Sequence, residues 1–283
     1  MRLGTFVSVQ PIASQGVMTG KRDAVNEFAA RYATSASAPS TELRRQYEEE
    51  GFILLSGLVD DETSRAAAAL LGELPGMDGN AEAIEAPHLF NEERGLVEHY
   101  ALREQVLLDC FGGAFTEMTR MLSDGTHLHA PRAAQTQNLI LQERAWYPPG
   151  PHIDGIPKVN RHRTFPGPYE IAFIAYLSDV EPRGGGTVGW PRSHRAVRAL
   201  AESDRDRYAY LYDLNRAIGQ LDLEPPVELL PKRGDILFFQ HLWVHGAPFN
   251  TRPQPRLALR PLCDCAECNG RWYKRDGWSF WQP

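Results

Sequence analysis

The chain has 283 residues, of which 42% are hydrophobic and 23% charged. These values exclude wholesale disorder and leave room for a sizeable core. A net charge of −6 disfavours a nucleic-acid binder, which would carry a basic face, and no apolar run approaches the roughly 18 residues of a membrane span.

In chain order, residues 1–40 read as a flexible leader. The stretch MRLGTFVSVQPIASQG has no compact apolar core followed by a cleavage site, so it does not read as a secretory signal. Acids are scarce over residues 1–22, as in a transit peptide, but the plainer expectation is a flexible leader on a cytoplasmic protein. The leader ends in the small, polar run ATSASAPS, residues 33–40. Ser40 or Thr41 then caps a short helix that Gly51 stops, because glycine tolerates the left-handed conformation at a helix end. Residues 52–55, FILL, predict a short buried strand. Asp60 and Asp61 open an alanine-rich helix to about Leu74, with the acids at its positive end. Residues 95–122 read as helical again, with a break at Gly112-Gly113.

From about residue 135 the texture changes to short apolar runs separated by proline and glycine turns. QTQNLILQERAWY, YEIAFIAYL, GGGTVGW, PVELL, DILFFQ and PRLALRPL predict many short strands at close spacing, as in a sandwich, barrel or jelly roll. One helical segment, about 196–218, interrupts them. Residues 41–283 are expected to form a single domain, a helical N-terminal part leaning on a β core, as a monomer or homodimer.

Of the four cysteines, Cys263, Cys265 and Cys268 cluster as C-x-C-x-x-C and Cys110 stands far away. Structural zinc usually takes four ligands in paired spacing, so unpaired intracellular thiols are the expectation, ahead of a zinc site or a local disulfide.

The chemistry-bearing constellation begins in PPGPHIDGIP, residues 148–157, with His152 and Asp154 two apart. Side chains two apart share a face of an extended segment. Some ninety residues later RGDILFFQHLWVHGAPFNTRPQPRLALR carries His245 after a predicted strand and Arg256 eleven residues beyond it. Two imidazoles and one carboxylate on one face of a metal form the triad of non-haem Fe(II) oxygenases, with positions left open for a co-substrate and dioxygen. An arginine on a neighbouring strand suits a carboxylate better than lysine does, because its planar fork binds both oxygens. H-x-D alone is a weak signal; the downstream pieces make it informative.

Over about residues 42–262 the chain resembles the phytanoyl-CoA dioxygenase-like family of Fe(II)/2-oxoglutarate-dependent oxygenases. The likeness rests on RRQYEEEGFILLSGLVDDE, HID, GGGTVGWPRSH, RGDILFFQ and HGAPFNTRPQPR with its H-x(10)-R spacing. The resemblance implies an α+β protein with a double-stranded β-helix core, a cupin-like jelly roll, and N-terminal helices packed on one sheet. It implies that His152, Asp154 and His245 hold Fe(II), and that Arg256 binds the far carboxylate of 2-oxoglutarate. Dioxygen is the other co-substrate, and the products are succinate, carbon dioxide and an oxidised small molecule. Gln135 and Gln137, on the strand before the claw, are candidates for substrate and co-substrate contact respectively. Arg161 and Arg163, beside Lys158 in the loop after the claw, and Trp243 are further substrate candidates. Two departures stand out: Ala247 replaces the hydroxyl residue often found two after the distal histidine, and the Pro-Gly-Ser-His turn is PRSH, Pro191 to His194.

His241 rivals His245 as distal ligand, but the spacing to Arg256 favours His245. His127, His129, His162 and His194 read as surface or structural polar residues, and Asp235 as a turn former. The aromatic tail, residues 271–283, reads as a packing segment rather than a lid. Hydroxylation of an unactivated C–H bond is the expected reaction. Desaturation, epoxidation and ring formation use the same ligands, and a non-catalytic jelly-roll binding protein is the rival from another class. A halogenase is disfavoured because Asp154 occupies the position that such enzymes leave open for chloride.

Overall fold

The computed structural model of the protein describes residues 33–79, 89–91, 93–123, 129–154, 163–164 and 171–263. Part of the segment expected to be leader is built into the fold. Residues Ala33–Ser35 form β1, which pairs in parallel with β2 (Phe52–Ser56) in the register Ala33 to Leu54. The small residues before Pro39 have little propensity of their own, and the open edge of β2 makes them a strand. Residues 1–32 lie outside the described residues.

Helix α1 (Ser40–Glu50) starts after Pro39 and ends at Gly51, whose φ of 83° needs no Cβ and whose N–H donates to the Tyr47 carbonyl. Helix α2 (Asp61–Gly72) is capped by Asp60, whose side chain accepts from the Thr63 N–H at 2.8 Å. The expected helix over 95–122 is only partly helical. Leu96–Glu98 is a strand, β4, between β3 (Leu89–Asn91) and a strand further on. Helices α3 (Gln105–Asp109) and α4 (Gly113–Leu122) follow, separated at the predicted glycine break.

The second half carries β5 (Ala133–Thr136), β6 (Asn138–Leu139), β7 (Ile171–Tyr176) and β8 (Val188–Gly189). Two helices replace the single one expected over 196–218: α5 (Ser193–Ser203) and α6 (Leu211–Ala217), the latter followed by one 3-10 turn, Ile218–Gln220. Between them Asp204 accepts from the Arg207 N–H at 3.0 Å, a local bond that competes with helix continuation. The chain then runs through β9 (Val227–Glu228), β10 (Ile236–Gln240), β11 (His245–Gly246) and β12 (Ala258–Leu262).

The strands form a six-stranded sheet in the order β1-β2-β10-β7-β12-β5, a smaller sheet β11-β8-β9, and a third, β3-β4-β6. Helices α1 to α4 cover one face of the large sheet: Leu43, Tyr47, Leu71, Leu107 and Phe115 pack on Ile53, Phe173 and Phe238. The other face is the jelly-roll interior, where Phe52, Leu54, Ile174, Leu237, Phe239 and Ala258 meet Val227 and Trp243. Strands of the large sheet are therefore apolar on both faces, as β7 (IAFIAY) and β10 (ILFFQ) show. A third cluster, with Val197, Leu211 and Leu214 against Val188 and Val244, places α5 and α6 outside the small sheet. The N-terminal helices thus pack on one sheet, and α5 and α6 add a second helical layer on the other.

Asp235 is the turn former expected of it, accepting from the Lys232 and Gly57 N–H groups at 2.8 and 2.9 Å. No helix among the described residues is long and apolar enough to cross a membrane.

Candidate metal centre

The two candidate histidines are tied together through their backbones. His152 N–H donates to the His245 carbonyl at 3.0 Å and His245 N–H to the His152 carbonyl at 2.9 Å, so the claw and β11 form a single bridge across ninety residues of chain. Between the two claw residues, Ile153 is fully buried against the α6 cluster. Its backbone is gripped at both ends by Asn215 of α6: Ile153 N–H donates to Asn215 Oδ1 at 3.0 Å, and Asn215 Nδ2 donates to the Ile153 carbonyl at 2.8 Å. With Ile153 plugged inward, period-two alternation turns His152 and Asp154 to the opposite face. There one ligand atom from each of His152, Asp154 and His245 lies within 4.8 Å of the others.

Each imidazole has its Nδ1 placed against a carbonyl: His152 at 3.3 Å from Gly150 O and His245 at 3.0 Å from Trp243 O. Such a bond fixes the tautomer with Nδ1 protonated and leaves the Nε2 lone pair for a metal. Burial, with the neighbouring His245, pushes His152 down to about 4, so it is neutral at pH 7, as a ligand must be. Burial alone would raise Asp154. The Arg260 guanidinium, with both histidines, outweighs it and holds the carboxyl well below the usual carboxylate range. Arg260 Nη2 stands 2.9 Å from Asp154 Oδ2, while Oδ1 faces His245 Nε2 at 3.5 Å.

Arg256 precedes β12 and lies inside the jelly roll, 2% exposed. Its Nη1 and Nη2 donate to the Gly185 and Gln137 carbonyls at 3.0 and 2.6 Å. Its Nε is buried with no hydrogen-bond partner, and no carboxylate among the described residues makes an ion pair with it. A buried guanidinium whose hydrogen bonds among the described residues go to neutral carbonyls carries a costly charge, and it fits the carboxylate of an anionic co-substrate. The donor set and this orphaned Nε together match Fe(II) and 2-oxoglutarate.

The other expected residues fall on both sides of this site. Gln137 presents its backbone carbonyl, not its amide, to Arg256. Gln135 lies opposite Arg260 in the β5–β12 register and donates to Glu98 Oε1 at 2.9 Å. Trp243 is 0% exposed; it stacks on Phe52 with centroids 4.5 Å apart and on the His245 ring. The indole therefore packs behind the His245 imidazole. His241 is buried and pushed down to about 3 by burial, and it is not a member of the ligand cluster. Arg163 is exposed over the Tyr210 ring, 5.4 Å from its centroid. His194 is structural, its Nε2 lying 3.1 Å from the Glu48 carbonyl. Among the described residues, Cys110 and Cys263 are not paired in a disulfide. His127, Lys158, Arg161, His162, Cys265, Cys268 and the aromatic tail lie outside the described residues.

Sequence reading missed Asn215, Arg260, Glu98 and Tyr100. Nothing local marks Asn215 on its helix. Arg260 carried a faint signal, because it sits four residues after Arg256 and therefore on the same face of an extended strand.

No protein-family model matches the chain. An ectoine dioxygenase of Bordetella bronchiseptica is 24% identical over 243 residues, spanning 78% of this chain and 74% of that protein. Among solved structures, the non-haem α-ketoglutarate-dependent carbocyclase SnoK from nogalamycin biosynthesis has a TM-score of 0.56 at 17% identity, covering 87% of this chain and 94% of its own. The epimerase SnoN, in complex with Fe3+, α-ketoglutarate and nogalamycin RO, has a TM-score of 0.56 at 16% identity over 78% of this chain and 81% of its own. EctD from S. alaskensis, with 2-oxoglutarate and 5-hydroxyectoine, has 0.53 at 14% identity over 78% and 75%. Fold and sequence match together place the chain in the superfamily of non-haem iron, 2-oxoglutarate-dependent oxygenases.

Proposed function

We propose that the protein hydroxylates an unactivated C–H bond of a small-molecule substrate, as an oxygenase of the phytanoyl-CoA dioxygenase-like branch. The observation that carries this reading is the pairing of two features. His152, Asp154 and His245 converge with both Nδ1 atoms already engaged, and Arg256 is buried with an unpartnered Nε inside the same jelly roll.

His152, Asp154 and His245 would hold Fe(II), which supplies the activation of dioxygen and the oxidising power that side chains lack. The protein's own contribution is placement. Asn215 and Ile153 set the claw, Trp243 backs His245, and Arg256 receives the far carboxylate of 2-oxoglutarate. On the substrate side Gln135 and Arg163 remain candidates together with Arg161. Succinate release in air from protein loaded with Fe(II) and 2-oxoglutarate tests the assignment. Stimulation by a cognate substrate is expected, and Asp154→Ala should abolish it. His241→Ala should keep metal affinity whatever it costs in stability. A product that gains an oxygen atom reports hydroxylation, whereas loss of two hydrogens reports desaturation or ring formation. No metal-dependent succinate release at all, with metal binding equal in the parent and Asp154→Ala, would leave only a jelly-roll binding protein.

A further inference from the structure

We infer that Arg260 is a positioning residue for the metal centre: its guanidinium occupies one oxygen of Asp154, so that the carboxylate offers the metal only the other. The inference rests on the proposed metal site but concerns a residue which that reading does not use.

Three observations carry it. Arg260 Nη2 lies 2.9 Å from Asp154 Oδ2 with both side chains largely covered, 24% and 20% exposed. Oδ1, not Oδ2, faces the histidine side of the cluster, 3.5 Å from His245 Nε2. The two carboxylate oxygens are therefore already differentiated, one toward the ligand set and one toward a fixed cation. The arginine is itself fixed by its place in the sheet. It sits on β12 directly opposite Gln135 on β5, beside a polar wall in which Gln135 and Tyr100 both donate to Glu98, at 2.9 and 3.2 Å.

The chemical consequence concerns open coordination positions. A carboxylate can bind a metal through one oxygen or through both, and a three-ligand face is useful only while the remaining positions stay free for co-substrate and dioxygen. A 2-oxo acid that chelates the metal needs two of them. A charge-assisted bond to Oδ2 disfavours chelation by Asp154 and keeps those positions open. A neutral residue at 260 would release Oδ2 toward the metal. Removing a nearby positive charge also favours cation binding, so metal affinity alone is a poor readout, and denticity is the quantity to follow.

Co(II) serves as the probe because its visible absorption reports coordination number and ligand field. Arg260→Gln and Arg260→Lys are compared with the parent protein, first with Co(II) alone and then on titration with 2-oxoglutarate. For Arg260→Gln, a changed Co(II) spectrum before any 2-oxoglutarate is added is expected, together with co-substrate affinity lower by roughly 10–100-fold, the scale of losing an outer-shell partner. Arg260→Lys should recover part of both, since it keeps the charge and a donor but not the planar fork. An unchanged Co(II) spectrum overturns the inference. If 2-oxoglutarate affinity nevertheless falls, Arg260 is a direct anion contact and not a positioner of Asp154. Failure of the underlying reading looks different: the parent and Asp154→Ala would bind Co(II) equally.

Discussion

The indole of Trp243 lies nearly parallel to the imidazole of His245, the ring centroids 5.4 Å apart and the planes inclined by 11°. The carbonyl of Trp243 also receives the His245 Nδ1–H, and Phe239 flanks the same imidazole at 4.7 Å. His245, the candidate distal ligand, is thus held on its outer nitrogen by one residue's backbone and on its face by that residue's ring. Such outer contacts fix orientation and tautomer, and hence affinity.

A methyl group added behind the His245–Trp243 stack should therefore weaken metal binding. A Cβ on Gly189 would stand 1.8 Å from a ring carbon of Trp243, so the indole must move, and Gly189 also pairs with His245 across β8 and β11. Gly189→Ala should lower Fe(II) or Co(II) affinity by about tenfold or more, within the range for outer-shell changes. Isothermal titration checks it; parental affinity in a folded variant would mean that the stack does not govern the ligand.

Arg256→Ala removes the proposed partner of the co-substrate carboxylate. A charge-assisted contact contributes roughly 1.5–3 kcal/mol, which corresponds to about a ten- to hundredfold weaker 2-oxoglutarate affinity. The Gly185 and Gln137 carbonyls also lose their donor, so the melting temperature should fall as well. Arg256→Lys should restore stability more than affinity, because lysine replaces the charge but not the fork.

Two glycines separate backbone strain from steric contact. Gly51 and Gly57 both have positive φ, 83° and 67°. A Cβ on Gly51 would meet His194 Nδ1 at 2.4 Å, whereas one on Gly57 would meet nothing within 4 Å. Gly57→Ala should cost only the left-handed penalty, about 1–2 kcal/mol. Gly51→Ala should cost clearly more in denaturant unfolding, because it also pushes His194 off the end of α1.

Glu228 is fully buried and accepts the Arg183 N–H on both oxygens at 2.9 Å. Burial dominates over these bonds and pushes the carboxyl up to about 7 from an ordinary 4.5. The folded value is the higher one, so the folded state prefers the protonated form. Its contribution to stability is full below about pH 4.5 and is lost as pH rises through 7. Between those limits the parent should lose on the order of 3 kcal/mol relative to Glu228→Gln. Denaturant unfolding at pH 5 and pH 8 measures it, and the same slope in both proteins would remove Glu228 as its source.

The candidate ligands and the candidate clamp stand out in the amino-acid sequence because their signals are local. H-x-D needs only period-two alternation, H-x(10)-R spans a single turn and strand entry, and Gly51 and Asp60 mark helix ends by their own conformational preferences. The β-rich second half was legible for the same reason. Tertiary structure alone decided the residues that act across long separations. Asn215 reaches Ile153 from 62 positions away, and Arg260 reaches Asp154 from 106. Residues 33–35, small and with little preference of their own, became a strand beside the edge of β2, and residues 96–98 became the middle strand of a sheet whose partners lie on either side in the fold. The sequence puts Trp243 two residues before His245 but does not say where its ring points. The packing of the two sheets turned that ring inward, where apolar area leaves water, and stacked it on the His245 imidazole.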